Sequence, residues 1–183
     1  MDDIRKVFTL QWVGPFDSFA SLRKYLNNPN TCDAYLFSFY YCVGSKKGRG
    51  YAYSKQDYRY FGLHKADSPI NMRVNVTHEK LSRFREPFSL WVGSFSNCEQ
   101  QNPQNIEDVE TLFISTYSNE LTENVRKKSA MPRDSICIIN LWYKPSEERW
   151  VNRKKEIGFF DDVLVYEKDI NKFSKGSLAI VRS

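Results

Sequence analysis

The sequence predicts a protein of the α+β class, because strand-like runs alternate with segments whose apolar residues follow helical periodicity. The strongest strand pattern is the run AYLFSFYYCV at 34–43. The clearest helix is the segment 106–117, where apolar residues recur on one face. Further strand patterns lie near both termini. A length of 183 residues fits one buried core, so we expect a single domain over 1–183.

The first half of the chain contains three predicted strands, at residues 7–13, 34–43 and 57–61. A short capped helix is expected over 17–26, after the first strand. A basic, glycine-flanked loop at 44–50 connects the second strand to the third. Ser68 as the cap and Pro69 at the first helical position then predict a helix that continues to Phe84.

The second half of the chain alternates in the same way. Strand patterns occur at 88–95, 135–143, 161–166 and 177–181. Between the first two of them, Asn105 is expected to cap the helix over 106–117, and a second helical piece covers about 120–129.

The net charge is +5, and the basic residues cluster in the runs KKGR at 46–49, VRKK at 125–128 and NRKK at 152–155. Such runs complement the phosphate backbone of a nucleic acid, although a solvated basic surface explains any single run equally well. The residues predicted to bind nucleic acid are Lys46, Lys47, Arg49, Arg126, Lys127 and Lys128.

The four cysteines are widely separated and include no C-x-x-C pair, which argues against a thiolate zinc site and against a disulfide framework. The opening MDDIRKVF lacks the apolar region of a signal peptide. No stretch approaches the ~18 consecutive apolar residues of a transmembrane helix. We therefore expect a soluble, cytoplasmic protein with no membrane partner.

One carboxylate lies where a core-facing side chain is expected. On a helix over 106–117, Glu110 falls between Ile106 and Ile114 on the apolar face, whereas Asp108 falls well away from that face. A carboxylate against a core is costly unless a cation or hydrogen-bond donors meet it. Glu110 is therefore predicted to be a metal ligand or a catalytic group, with a buried salt bridge as the structural alternative.

Arg73 and His78 flank the apolar face of the predicted helix that begins at Pro69, one on each side. Two polar groups beside a core-facing stripe suit the wall of a cleft. Taken alone, either residue is more often structural. We include both among the catalytic candidates.

In their order along the chain, these features resemble the GIY-YIG nuclease family. In place of GIY the sequence reads Asp33-Ala34-Tyr35, and Tyr60-Phe61-Gly62 is similar to the YIG tripeptide. Arg73 follows in the next predicted helix, as in the family. Glu110 lies in VETLFI, which is similar to the pattern around the family glutamate, and Asn124 in ELTENV corresponds to the family asparagine.

The resemblance covers about residues 33–126 and implies a small antiparallel core sheet of three strands flanked by helices. The strand and helix before this core would form an N-terminal extension, and the segments after it a β-rich C-terminal extension. The residue that accompanies Arg73 in the site is open among Thr77, His78 and His64.

The same resemblance implies a divalent-metal-dependent nuclease that hydrolyses phosphodiester bonds in DNA, in a restriction-type or repair-type role, with Mg²⁺ or Mn²⁺ as the cofactor. Tyr35 would activate or orient the attacking water beside Tyr60, and Arg73 would clamp the phosphate. Glu110 would hold the metal ion, and Asn124 would hold the assembly together by hydrogen bonds. Similarity to stand-alone restriction-type members is compatible with a homodimer.

Two other functional classes remain open. A nucleic-acid-binding module without catalysis would keep the basic runs but would have no use for a carboxylate in an apolar stripe. A protein-interaction domain would use its many aromatic residues as a docking surface, but it predicts neither the basic runs nor the order of Arg73, Glu110 and Asn124. RNA remains an alternative to DNA as the substrate.

Overall fold

A computed structural model describes residues 6–28, 37–48, 58–65, 68–150 and 160–178. The strands are β1 (Lys6–Phe16), β2 (Phe37–Lys46), β3 (Tyr58–Lys65), β4 (Phe84–Phe95), β5 (Ile136–Tyr143), β6 (Val163–Glu167) and β7 (Lys172–Gly176). They form one seven-stranded sheet in the order β3-β2-β4-β1-β5-β6-β7. The α-helices of the described residues are α1 (Phe19–Leu26) and α2 (Pro103–Thr116). Within that part of the chain, no helix is both long and apolar enough to cross a membrane.

The predicted fold class is wrong, because the sheet is larger and mixed. β1 pairs antiparallel with β4 and parallel with β5, so strands from both ends of the chain belong to the main sheet rather than to extensions of a three-stranded core. The side chains of β1 explain its position: Leu10 and Trp12 are buried on one face, and Val13 and Phe16 on the other. A strand that is apolar on both faces belongs inside a sheet with both faces covered.

Alternating side chains of the sheet form two hydrophobic clusters, one on each face. In β2, Phe39 and Tyr41 belong to the first cluster, whereas Tyr40 and Cys42 belong to the second. Helix α2 covers the first face, and α1 together with the segment 68–84 covers the second. Removal of these apolar side chains from water on both faces is the main driving force for the fold.

The segment 68–84 is not the α-helix that the sequence predicts. It forms two short 3₁₀ turns, at Ile70–Met72 and Leu81–Arg83, which are joined by irregular turns. Asn75 Oδ1 accepts hydrogen bonds from the backbone N–H and the hydroxyl of Thr77, at 2.8 and 2.6 Å. His78 Nδ1 accepts the backbone N–H groups two and three residues further along, each at 3.1 Å. These side chains satisfy backbone groups locally and so compete with a helix.

Most other predicted elements are confirmed with shifted ends. The predicted strands at 7–13 and 88–95 lie within β1 and β4, and the predicted strand at 135–143 begins one residue before β5. β6 begins in the run 161–166. The run 177–181 lies mostly outside the described residues. Helix α2 begins before the predicted position, with Asn102 rather than Asn105 as its cap. The helix predicted over 120–129 is wrong, because this stretch contains only turns and irregular backbone.

Candidate active-site cleft

A cleft of about 690 Å³ opens beside β3, the outermost strand at one edge of the sheet. Its walls are the segment 72–80, the helix α2 and the loop 123–127. Five residues that the sequence predicts to be catalytic line this cleft: Tyr60, Arg73, His78, Glu110 and Asn124. A smaller recess of about 200 Å³ shares three of them and adds Tyr40. The fold thus brings together side chains that are up to 64 residues apart in the sequence.

Tyr40 and Tyr60 face the recess from neighbouring strands. In the pairing of β2 with β3, Tyr40 lies opposite Gly62 and Tyr60 lies opposite Cys42, so the two rings are diagonal neighbours with centroids 6.0 Å apart. Gly62 makes room for the Tyr40 ring, because a methyl group at that position would lie 2.5 Å from Tyr40 Oη. The glycine of the YFG tripeptide therefore has a steric role in forming the site.

His78 packs against both tyrosine rings. The centroid of its imidazole ring lies 5.6 Å from the centroid of the Tyr40 ring and 5.6 Å from that of the Tyr60 ring. Its Nδ1 accepts backbone N–H groups, so the proton of the neutral ring is on Nε2, which donates to Tyr40 Oη at 2.9 Å. Burial, together with the positive charge of Arg73, lowers the pKa of His78 to about 4. His78 is therefore a neutral donor at physiological pH that holds the Tyr40 hydroxyl in place.

The Tyr40 hydroxyl is the centre of a hydrogen-bonded group. Burial raises the pKa of Tyr40 well above its usual value, and proximity to Tyr60 adds to this, whereas a hydrogen bond from Arg73 and its positive charge oppose it. Burial likewise raises the pKa of Tyr60, which a hydrogen bond from Tyr40 partly offsets. Both tyrosines are therefore protonated at neutral pH. This suits them to orienting a water molecule more than to removing its proton unaided.

Glu110 projects from α2 into the cleft and is only 16% exposed. Its Oε2 accepts a hydrogen bond from Lys127 Nζ at 2.7 Å, and the Lys127 side chain is 32% exposed. Lys127 has a φ of 64°, in the left-handed region that residues other than glycine seldom adopt. The carboxylate thus has a cationic partner on one side and open cleft on another.

Asn124 and its neighbours close the open edge of β3. Asn124 Nδ2 donates to the Phe61 carbonyl at 2.7 Å, and the Phe61 N–H donates to Asn124 Oδ1 at 2.9 Å. The Glu123 N–H donates to the Arg59 carbonyl, and the Arg59 N–H donates to Thr122 Oγ1, both at 3.0 Å. These bonds satisfy backbone groups that an edge strand would leave without a strand partner, and they fix the loop that carries the remaining cleft residues.

The structure separates the three candidates for the residue that accompanies Arg73. His78 contacts both tyrosines, and Thr77 lines the cleft without a contact to either ring among the described interactions. His64 is buried and lines a different recess, where its Nε2 lies 2.6 Å from the Ser68 carbonyl oxygen. Geometry therefore favours His78.

Tyr40 is a site residue that the sequence analysis missed. Tyr35, predicted to activate or orient the water, lies outside the described residues. The signal for Tyr40 is its register: the residue opposite the glycine of the YFG tripeptide shares a sheet face with Tyr60. That register depends on how β2 and β3 pair across a long connection, which the sequence alone leaves undetermined.

The residues predicted to bind nucleic acid fall into two places. Three of them form the cleft rim or follow it directly: Arg126, Lys127 and Lys128. Lys46 ends β2, six residues beyond Tyr40, which corresponds to about 20 Å along a strand. Its ammonium lies 5.4 Å from the centroid of the Tyr58 ring. Lys47 follows with its backbone N–H bonded to a carbonyl 2.8 Å away, and Arg49 lies outside the described residues.

The donor set fits a metal ion that keeps most of its water molecules. In the described part of the chain, no three His, Cys, Asp or Glu side chains converge on one point. Mg²⁺ is commonly held by one or two carboxylates plus substrate phosphates. Glu110, beside open cleft volume, offers one such carboxylate.

Comparison of the chain with protein-family models, with curated proteins and with solved structures gave no match.

Proposed function

We propose that this protein is a divalent-metal-dependent nuclease that hydrolyses phosphodiester bonds in DNA, similar in its site to the GIY-YIG family and acting in a restriction-type or repair-type role. One observation carries the proposal. It is the grouping of five side chains at one edge of the sheet: two tyrosines, a guanidinium, a neutral imidazole and a carboxylate. They come from four separate segments and line the cleft or the smaller recess. Phosphodiester hydrolysis needs this combination of water-orienting, charge-neutralising and metal-binding groups.

Each side chain has a role that follows from its surroundings. Arg73 binds two phosphate oxygens through its planar guanidinium. Tyr40 and Tyr60, both protonated, orient the attacking water, and His78 fixes the position of the Tyr40 hydroxyl. Mg²⁺ or Mn²⁺ held by Glu110 would make a water more acidic and would neutralise charge that develops on the phosphate.

A second candidate function is nucleic-acid binding without catalysis. The observation that favours it is the ion pair between Glu110 and Lys127, since a carboxylate that already has a cationic partner needs no metal ion. This reading leaves the grouping of Tyr40, Tyr60 and Arg73 without a chemical role. We therefore place it second.

Incubation with supercoiled plasmid tests the proposal. The purified protein should nick or linearise the plasmid with Mg²⁺ or Mn²⁺ and leave it intact with chelator. The Glu110→Gln protein serves as the matched control for contaminating nucleases. Survival of duplex DNA, single-stranded DNA and RNA in both metals, together with measurable binding to them, would establish the non-catalytic function instead.

A further inference from the structure

Lys127 occupies the place next to Glu110 where a cation is needed. Its ammonium lies 2.7 Å from Glu110 Oε2, and both side chains line the cleft and the smaller recess that also contains Tyr40 and Arg73. The Glu110 carboxylate therefore has a positive partner in the absence of any metal ion. A divalent ion that binds Glu110 Oε2 must displace the Lys127 ammonium or share this oxygen with it.

The backbone of Lys127 places the side chain at this point. A φ of 64° is unfavourable for a residue with a side chain, and such conformations persist where the surrounding structure holds them. The start of this loop is held in place, because Glu123 and Asn124, four and three residues before Lys127, hydrogen-bond to the edge strand β3. The strained residue and the anchored loop together direct the ammonium toward the carboxylate.

The Lys127 side chain is also able to move away from Glu110. Lysine carries a compact charge on a flexible stem of four carbons, and that of Lys127 is about one-third exposed. Arg126 is exposed beside it, and Lys128 follows, so the rim attracts a polyanionic backbone. A phosphodiester at the rim offers the ammonium a new anionic partner.

We infer that Lys127 exchanges partners when nucleic acid binds: its ammonium neutralises Glu110 in the free protein and moves to a phosphodiester oxygen in the complex, which frees Glu110 for the divalent ion. The inference rests on the proposed function, since it concerns the metal ligand of that site. Metal and nucleic acid then bind with positive coupling, and each raises the affinity for the other by the same factor.

Mn²⁺ affinity, measured by titration calorimetry, tests this exchange without a catalytic readout. Lys127→Asn removes the ammonium and retains a residue that tolerates positive φ. Without DNA it should bind Mn²⁺ about fivefold more tightly than the wild type, which corresponds to loss of a competing ion pair of about 1 kcal/mol. A 20-base-pair phosphorothioate duplex, chosen to resist cleavage, should raise the wild-type affinity by a similar factor and leave that of Lys127→Asn nearly unchanged.

Lys144→Asn is the matched control, because it removes the same charge from an exposed lysine–glutamate pair that does not line the cleft. Its Mn²⁺ affinity should equal that of the wild type. Lys127→Gly also accepts positive φ and replaces Lys127→Asn if the latter melts at a lower temperature. Equal Mn²⁺ binding by the wild type and the Lys127 variants, with or without duplex, would overturn the exchange alone. Absence of Mn²⁺ binding in every protein would overturn both the exchange and the proposed metal site.

Discussion

Two carboxylates lie two residues apart on α2 and have different surroundings. Asp108 is 3% exposed, and its oxygens are bound by Lys6 and Arg133, each at 3.0 Å, and by Gln104 at 3.2 Å. Glu110 is 16% exposed and has Lys127 as its ion-pair partner at 2.7 Å. The more deeply buried group is also the more fully satisfied one.

The comparison shows that burial of a carboxylate does not by itself mark a functional site. The helical pattern places Asp108 well away from the apolar face, yet its side chain is buried. Lys6 of β1 and Arg133 cover that side of the helix, so the carboxylate is enclosed by cations rather than by apolar side chains. Glu110 differs because, among the described residues, it has one ion-pair partner and also lines the open cleft. A carboxylate that binds a metal ion needs such accessible space.

Amide replacement of each carboxylate should separate the two roles with the largest effects. Asp108→Asn removes the charge that Lys6 and Arg133 surround, so we expect a loss of about 3 kcal/mol in the free energy of unfolding and unchanged cleavage by the folded protein. Glu110→Gln should abolish cleavage and change stability by no more than about 1 kcal/mol, because its ion pair is partly exposed. Thermal denaturation and plasmid cleavage measure the two readouts.

Magnesium adds a third readout to the same pair. It should raise the melting temperature of the wild type and of Asp108→Asn, since binding to the native state is stabilising, and leave that of Glu110→Gln unchanged. A large loss of stability in Glu110→Gln with cleavage retained would assign Glu110 the same structural role as Asp108.

Two arginines extend the comparison: Arg73 lines the cleft that contains Glu110, and Arg133 pairs with Asp108. Arg73→Lys keeps the charge in the cleft but loses the planar pair of donors, so we expect cleavage to fall by roughly two to three orders of magnitude with little change in binding to uncleaved DNA. Arg133→Lys is the matched change beside Asp108 and should leave cleavage unchanged. An active Arg73→Lys protein would show that Arg73 supplies charge alone.

Much of the local structure follows from the sequence, because alternation of apolar residues along β1, β4 and β5 reflects burial of the strands themselves. The order of the strands does not follow. Parallel pairing of β1 with β5 joins residues about 130 positions apart, and nothing in the local pattern of either strand specifies that partner.

The site was predictable to a similar degree. The order of residues in the chain predicts Tyr60, Arg73, Glu110 and Asn124, and all four line one cleft. The predicted helix around Arg73 is absent, because Asn75 and its neighbours satisfy the backbone locally. The partners of each side chain, such as Lys127 beside Glu110, depend on tertiary packing that helical periodicity does not describe.

His78 should make the cleft the acid-sensitive part of the molecule. Its pKa is about 4 in the folded protein against an ordinary value of 6.5, so folding favours the neutral ring. The resulting stability is fully present above pH 6.5 and is lost as the pH falls toward 4, by up to about 3 kcal/mol. Chemical denaturation across this range should show a shallower pH dependence for His78→Gln than for the matched His64→Gln. Equal slopes for the two variants would place the acid sensitivity elsewhere.

The smallest effect concerns the basic residues away from the cleft. Lys46 ends β2 and Lys47 follows it, next to the edge strand β3 that carries the candidate site. Lys168 and Lys172 are exposed near β7, at the opposite edge of the sheet. If the predicted basic loop meets the nucleic-acid backbone, Lys46→Gln/Lys47→Gln should reduce the slope of log affinity against log salt by up to about two units. Lys168→Gln/Lys172→Gln removes the same charge and should leave the slope unchanged, because β7 lies at the edge of the sheet opposite the candidate site. Fluorescence anisotropy with a labelled duplex at several salt concentrations gives both slopes. Equal reductions in the two double variants would mean that net charge, rather than position on the sheet, governs binding.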